Sequence, residues 1–268
     1  MYPILLKIGP INIYTYGSLL CLAFLAALWV AGREAQRVGL SPGRIWDLGF
    51  YILVAAVVGA RALEVFLNLH RYVDKPLDIF KLWDGGLAFQ GGLILAFITA
   101  LAYIRRHALP VWGTLDALAL GIPLGQSIGR IGCFMAGCCY GRPTDLPWGV
   151  TFTHPQTLAP LGVKVHPTQL YESLLVLGVF AVLYHLRTRK RFEGQLLGTY
   201  FLLAGLVRFG VEFFRGDPRG PALVAGMPVT QVTALVTALV GAALLIPGFL
   251  PAIAGALRCS WFRCFQKI

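Results

Sequence analysis

Apolar residues in this chain come in long uninterrupted runs rather than in the alternating pattern of a half-buried strand. Between charged or Pro/Gly-rich breaks, the runs cover approximately 16–32, 47–68, 87–104, 114–136, 167–186, 195–214 and 229–250. A membrane-spanning helix needs about 20 mostly apolar residues, because hydrocarbon offers no partner to an exposed backbone group. The pattern predicts an all-α polytopic membrane protein with about seven transmembrane helices, forming a single transmembrane domain over 1–268. The first run shows no cleavage signature and reads as a span retained in the mature protein. The fourth is interrupted by Gly121, Pro123, Gly125, Gly129 and Gly132, which predicts a kinked or broken helix lining a cavity.

Composition supports the membrane reading: 57% of the 268 residues are hydrophobic and only 13% charged, against roughly 25% charged in soluble domains. The net charge of +11 has two sources in this reading. Lys and Arg collect in cytoplasmic loops, and some basic residues near the surface hold anionic lipid headgroups. Scattered between apolar spans, they exclude a nucleic-acid partner. The basic residues favour the loops after odd-numbered spans, including Arg33, Arg37, Arg105, Arg106, Arg187 and Arg189. That bias puts the N-terminus on the periplasmic side and the C-terminus in the cytoplasm. The longest loops, 69–86 and 137–166, then form a periplasmic loop region where recognition takes place.

Charges inside spans are costly and mark function by default. Arg61 and Glu64 share a helix face and read as a structural ion pair, and Asp116 reads as structural. Arg208, Glu212 and Arg215 stand at i, i+4 and i+7, which stacks them on one face. They form either a self-neutralising stripe or, because two arginines exceed one carboxylate, a positive surplus at the outer end of span six. Arg130, in the string Gly129-Arg130-Ile131-Gly132, has no evident sequence partner. Planar guanidinium groups suit bidentate phosphate recognition, so Arg130 and Arg208 together predict a clamp for a phospholipid phosphate. Cys133, Cys138 and Cys139 cluster in the segment Gly129–Gly141. Their spacing is not the C-x-x-C type of structural zinc sites, so no metal is expected and they read first as small buried side chains, with a catalytic or redox role left open. No cofactor is expected.

Several strings carry a further resemblance. They are Ile8-Gly9-Pro10 through Tyr16-Gly17, Trp83-Asp84-Gly85-Gly86-Leu87 with Gly91-Gly92-Leu93, the segment from Gly129, His166-Pro167-Thr168-Gln169-Leu170-Tyr171-Glu172, and Arg208-Phe209 with Val211-Glu212-Phe213-Phe214-Arg215. In order and spacing, along nearly the whole chain, they resemble the prolipoprotein diacylglyceryl transferases of bacteria. The resemblance implies a seven-span enzyme of the bacterial inner membrane. It implies transfer of the diacylglyceryl group of phosphatidylglycerol to the lipobox cysteine thiol of a prolipoprotein signal peptide, with release of glycerol phosphate. It places Tyr16, Arg130, Gly141, Arg208, Glu212 and Arg215 at functional positions, and Cys133 and Cys138 at substrate-binding ones. The chain departs from the family pattern at Gln90, where the family has a histidine proposed as base, at Cys133, where it has asparagine, and at Cys138, where it has glutamate.

The reaction must stabilise the leaving phosphate and convert a thiol, of reference pKa about 8.5, to thiolate. Arg130 and Arg208 meet the first demand. Their field also favours thiolate; Gln90 orients thiol or lipid through its amide, and His166 is the family-matched group for proton transfer, with a helix-start role as its alternative. Two other functions remain open: a lipid-using transferase with another acceptor, which a lipobox-peptide assay separates, and a lipid or solute transporter, which inverted repeats would indicate. The sequence shows no such repeat.

Overall fold

The computed structural model describes residues 2–9, 11–73, 76–81, 86, 88–217, 222–224 and 226–246. Pro10, the Trp83-Asp84-Gly85 part of its motif, Leu87 and the C-terminal cysteines Cys259 and Cys264 lie outside the described residues. The chain is 68% helical. Each predicted span coincides with a helix: α1 (Thr15–Arg37), α2 (Pro42–Leu67), then beyond the short α3 (Leu69–Tyr72), α4 (Phe89–Arg106), α5 (Val111–Ala136), α6 (Thr168–Leu186), α7 (Gln195–Glu212) and α8 (Val229–Leu244). Of these, α1, α2, α5 and α6 are long and apolar enough to cross a membrane; α8 is a shorter apolar helix. Two-stranded antiparallel pairs join β1 (Ile4–Ile8) to β2 (Ile11–Tyr14), β3 (Val150–Thr151) to β4 (Lys164–Val165), and β5 (Ala222–Val224) to β6 (Met227–Pro228).

Contacts divide the chain into two compact units, Met1–Ala31 with Leu115–Ile268, and Gly32–Thr114. In the second, α2 and α4 pack through small residues: a Cβ on Gly59 would meet the backbone of Gly91, and one on Gly92 the carbonyl of Ala56. Small side chains let helices approach closely enough for dispersion to hold them where no hydrophobic driving force acts. Arg61, buried, donates to the carbonyls of Asp78, Ile79, Lys81 and Gly86 at 2.6–3.1 Å. It thereby ties down the segment that follows α3, while Glu64 accepts from Asn68 at 2.9 Å.

The fourth span, expected to be kinked or broken, is not broken. α5 runs unbroken from Val111 to Ala136, through Pro123. Gly121 and Gly125 are contact points rather than breaks: a Cβ on Gly121 would strike the carbonyl of Ala27, and one on Gly125 that of Ala23, both on α1. Gly121 and Gly125 are one turn apart and so face the same neighbour. Against α6, α5 uses a buried serine pair; Ser127 and Ser173 each donate to the other's carbonyl, at 3.0 and 2.9 Å. α7 and α8 meet at Gly198, Gly205 and Gly241.

Asp116 is structural, as expected, and its task is specific. Buried on α5, it accepts from Lys190 Nζ at 2.9 Å and from the backbone N–H groups of Gly194 and Leu197 at 2.9 and 3.0 Å. Gly194 has no side chain to cap α7, so a carboxylate from a neighbouring helix satisfies its first donors. Beyond α5, the loop 137–166 builds a small core of its own from Phe152, Ala159 and Val165, with Phe134, Tyr140 and Val150 packed on it.

Candidate functional site

Four charged side chains from three helices meet inside the first unit. Arg130, on α5, reaches Glu172, on α6, with Nη2 to Oε1 at 2.7 Å. Arg208, on α7, holds the other oxygen of Glu172 at 3.0 Å and Glu212, one turn along its own helix, at 3.2 Å. Glu212 also accepts from Thr230, at the start of α8, at 2.5 Å. Glu172 is 1% exposed. A carboxylate so placed persists only with partners, since an unpaired buried charge costs several kcal/mol.

The network borders a cavity of about 310 Å³ lined by Arg130, Glu172, Arg208, Gln126, Tyr200 and a row of threonines, Thr230, Thr233 and Thr237. Each guanidinium carries five N–H donors, and the ion pairs engage Arg130 through Nη2 and Arg208 through Nη1 and Nη2. Beside it, α6 and α7 form an apolar groove of about 690 Å³, lined by Leu174, Leu175, Leu206, Val207 and Phe214 among others.

Two sequence expectations change here. Arg130 has a partner, Glu172, which lies 42 positions away in the chain and so beyond any local periodicity. Arg215 does not continue the face of α7: the helix ends at Glu212, the chain turns, and Arg215 pairs with Asp217 through Nε and Nη2, both at 2.9 Å. Within the set Arg208, Glu212 and Arg215, the second arginine therefore adds no unmatched charge among the described residues. Arg130, Arg208 and Arg215 are matched by Glu172, Glu212 and Asp217.

The segment after α5 forms a second cluster. Gly137, at φ +74°, ends the helix, and Cys139 holds φ +64°, a conformation uncommon outside glycine. The sulfurs of Cys133, Cys138 and Cys139 all lie within 4.8 Å of one another. The first residues of α6 grip this turn: Thr168 Oγ1 donates to the Cys139 carbonyl at 2.8 Å and Gln169 Nε2 to that of Cys138 at 2.7 Å. Hydrogen bonds from the Cys133 and Cys138 thiols push the Cys139 thiol below its ordinary pKa, and the Arg215 guanidinium acts in the same direction. Arg215 Nη1 is buried without a hydrogen-bond partner of ordinary geometry. Tyr16, at the start of α1, lies against Gly132 and close to the three thiols and Arg130.

Gly141 is enclosed by backbone: a Cβ there would come within 2.6 Å of the His166 carbonyl and 2.8 Å of that of Phe214. His166 meets the rings of Tyr171 and Phe214 edge to face, and its Nδ1 lies 3.2 Å from the Tyr171 hydroxyl, which accepts from Trp148 at 2.8 Å. These contacts fit the helix-start alternative. Gln90 is exposed near the start of α4 and belongs to the unit Gly32–Thr114.

In the sequence Glu172 stands out only as the end of the string from His166, and Thr230 does not stand out at all. The intramembrane carboxylate within the string from His166 to Glu172 was the available signal for the first; nothing marked the second.

Residues 3–247 match the family model described as prolipoprotein diacylglyceryl transferase. A protein of Chromohalobacter salexigens named phosphatidylglycerol–prolipoprotein diacylglyceryl transferase is 36% identical over 263 residues, covering 97% of this chain and 92% of its own. Proteins of the same name from Clostridium tetani (32% identical; 90% and 95% covered) and Stenotrophomonas maltophilia (37%; 81% of each) are also similar. With the match running through both clusters of the first unit, the chain belongs to the prolipoprotein diacylglyceryl transferase family.

Proposed function

We propose that this chain transfers the diacylglyceryl group of phosphatidylglycerol to the lipobox cysteine of prolipoproteins, forming a thioether and releasing glycerol phosphate. It acts in the bacterial cytoplasmic membrane, with the loops 69–86 and 137–166 on the periplasmic side. The observation that carries this reading is the Arg130–Glu172–Arg208–Glu212 network on a cavity of about 310 Å³ among apolar helices. Arg130 and Arg208 direct N–H donors at the phosphate, whose charge grows as the glyceryl C–O bond breaks; in a low-dielectric site such prepositioned donors act strongly. The threonine row offers hydroxyls to the headgroup, and the apolar groove between α6 and α7 suits acyl chains. Tyr16 and Arg215 serve the same site from the thiol side, and Gly141 keeps the backbone of that turn close to His166.

The test is mass spectrometry of a lipobox peptide incubated with the purified protein and phosphatidylglycerol. The expected product carries one diacylglyceryl group on cysteine sulfur, with glycerol phosphate released in equal amount. An unmodified peptide, alongside a wild-type protein that binds the lipid, would overturn the choice of acceptor.

A further inference from the structure

We propose that Cys133, Cys138 and Cys139 form a three-thiolate site for a soft d10 metal ion, zinc in the first instance, with a fourth position open to the thiol of the acceptor. The identity of that thiol rests on the function proposed above; the metal site does not.

Three sulfurs bound to one zinc ion at about 2.3 Å stand about 3.8 Å apart along the edges of a tetrahedron. Here all three lie within 4.8 Å of one another, so side-chain rotation and a contraction of about 1 Å close the site. Separations of five residues and one do not suggest this, because the convergence depends on the turn. Cys133 sits in the last turn of α5, Gly137 reverses the chain, and Cys139 takes a positive φ that a non-glycine residue seldom adopts. Thr168 and Gln169, both fully buried, fix the carbonyls on either side of the strained residue. Cysteines that only fill space require neither a strained backbone nor sulfurs turned toward one another.

Among the described residues no histidine or carboxylate joins the three sulfurs. Three protein ligands with one position left open is the arrangement of catalytic zinc sites, whereas structural sites are closed by four. Zinc with three thiolates carries one negative charge, and Arg215, whose Nη1 is left over from its pair with Asp217, is the guanidinium that acts on Cys139.

The chemistry balances without an oxidant. A thiol entering the open position binds as thiolate; its S–H bond breaks and the proton passes to solvent. The sulfur lone pair then attacks the glyceryl carbon, the C–S bond forms, and the C–O bond breaks with its electron pair leaving on glycerol phosphate. The product thioether is neutral and a weaker ligand, so it departs. Gln90, which is not a base, then has no proton to remove.

The test uses the full-length protein purified from zinc-supplemented cells, with metal content read by mass spectrometry and, after exchange with cobalt(II), by the thiolate-to-cobalt charge-transfer band. The expected result is about one metal ion per chain, lost in Cys133→Ser, Cys138→Ser and Cys139→Ser and kept in Cys21→Ser on α1. Stripping the wild-type protein with a thiol-compatible chelator should lower thioether formation at least tenfold while phosphatidylglycerol binding persists, and zinc should restore it. A metal-free wild-type protein, or three free thiols with no cobalt band, overturns the site without recourse to any variant. Full activity in the stripped protein overturns its role in the reaction. Stoichiometric metal in a protein that never modifies the peptide leaves the site standing and removes the proposed function instead.

Discussion

Replacing Arg130 with lysine separates charge from geometry. Arg130 is a partly exposed guanidinium, at 19%, whose ion pair among the described residues is to a carboxylate exposed by 1%. Lysine keeps a positive charge and reaches Glu172, so the carboxylate retains both cationic partners and the fold should lose no more than about 1 kcal/mol. Removing the charge with alanine would approach the roughly 3–5 kcal/mol typical of breaking a buried pair, moderated by Arg208, which stays on the second oxygen of Glu172 at 3.0 Å. What lysine cannot do is hold Glu172 at 2.7 Å and at the same time present a planar pair of donors to a phosphate. Loss of one prepositioned donor to developing negative charge costs about 10²–10³ in rate, or roughly 2.7–4 kcal/mol. Arg130→Lys should therefore fall by that factor in kcat with an unfolding midpoint close to wild type. The assay follows thioether formation on a lipobox peptide in mixed micelles, with phosphatidylglycerol varied to separate kcat from KM. Near-normal turnover at matched expression would refute the clamp; a collapse of folding equal to that of the alanine variant would make Arg130 a structural residue.

Three further outcomes follow from the same structure. Asp116→Ala strands the N–H groups of Gly194 and Leu197 and should cost about 3 kcal/mol in denaturant unfolding, while the protein that remains folded turns over normally. Gly141→Ala drives a Cβ to within 2.6 Å of the His166 carbonyl, so folded yield should drop sharply by gel filtration; a well-folded alanine variant would show that the turn has room. Gln90→Ala should lower the rate less than tenfold, against the roughly 10²–10⁴ that a general base supplies, and Gln90→His should be tolerated across a pH series. Complete loss in the alanine variant with lipid binding intact would make Gln90 essential.

How much of this was legible follows from where each signal is stored. Helix positions are written locally, as apolar runs, and each of these runs overlaps a helix. Arg208 and Glu212 are also local, one turn apart, and they do pair. The reading failed where partners are brought in by the fold. Glu172 and Arg130 belong to different helices, and Arg215 left the expected face because α7 stops at Glu212. Glycine in α5 misled for a related reason: a residue that breaks an isolated helix is also the one that lets two helices touch, and only the neighbour decides which. Ala27 and Ala23 opposite Gly121 and Gly125 decide it here. The cysteine turn was the hardest case, since its convergence depends on a positive φ at Cys139 that sequence spacing does not encode.

The pairing of Arg130 and Arg208 with carboxylates bears on how the proposed anionic lipid would be held. Two unpaired guanidinium groups among apolar helices would be costly to maintain, because each would forgo water without gaining a counter-charge. Pairing both with Glu172 removes that cost and fixes the planes of two arginines that come from different helices. Under the proposed function, attraction for phosphate would come from the N–H donors the carboxylates leave over rather than from net charge. The consequence is directional. Glu172→Gln raises the charge of the Arg130–Glu172–Arg208–Glu212 group from zero to +1, which favours the anionic lipid, and also frees both arginines to rotate, which disfavours a reaction that depends on their alignment. Phosphatidylglycerol binding and turnover should therefore move in opposite directions in this variant: a lower KM, or a lower dissociation constant in a vesicle-binding measurement, with a reduced kcat. If the two fall together, Glu172 acts through the stability of the bundle, and the arginines owe their positions to something other than the carboxylate between them.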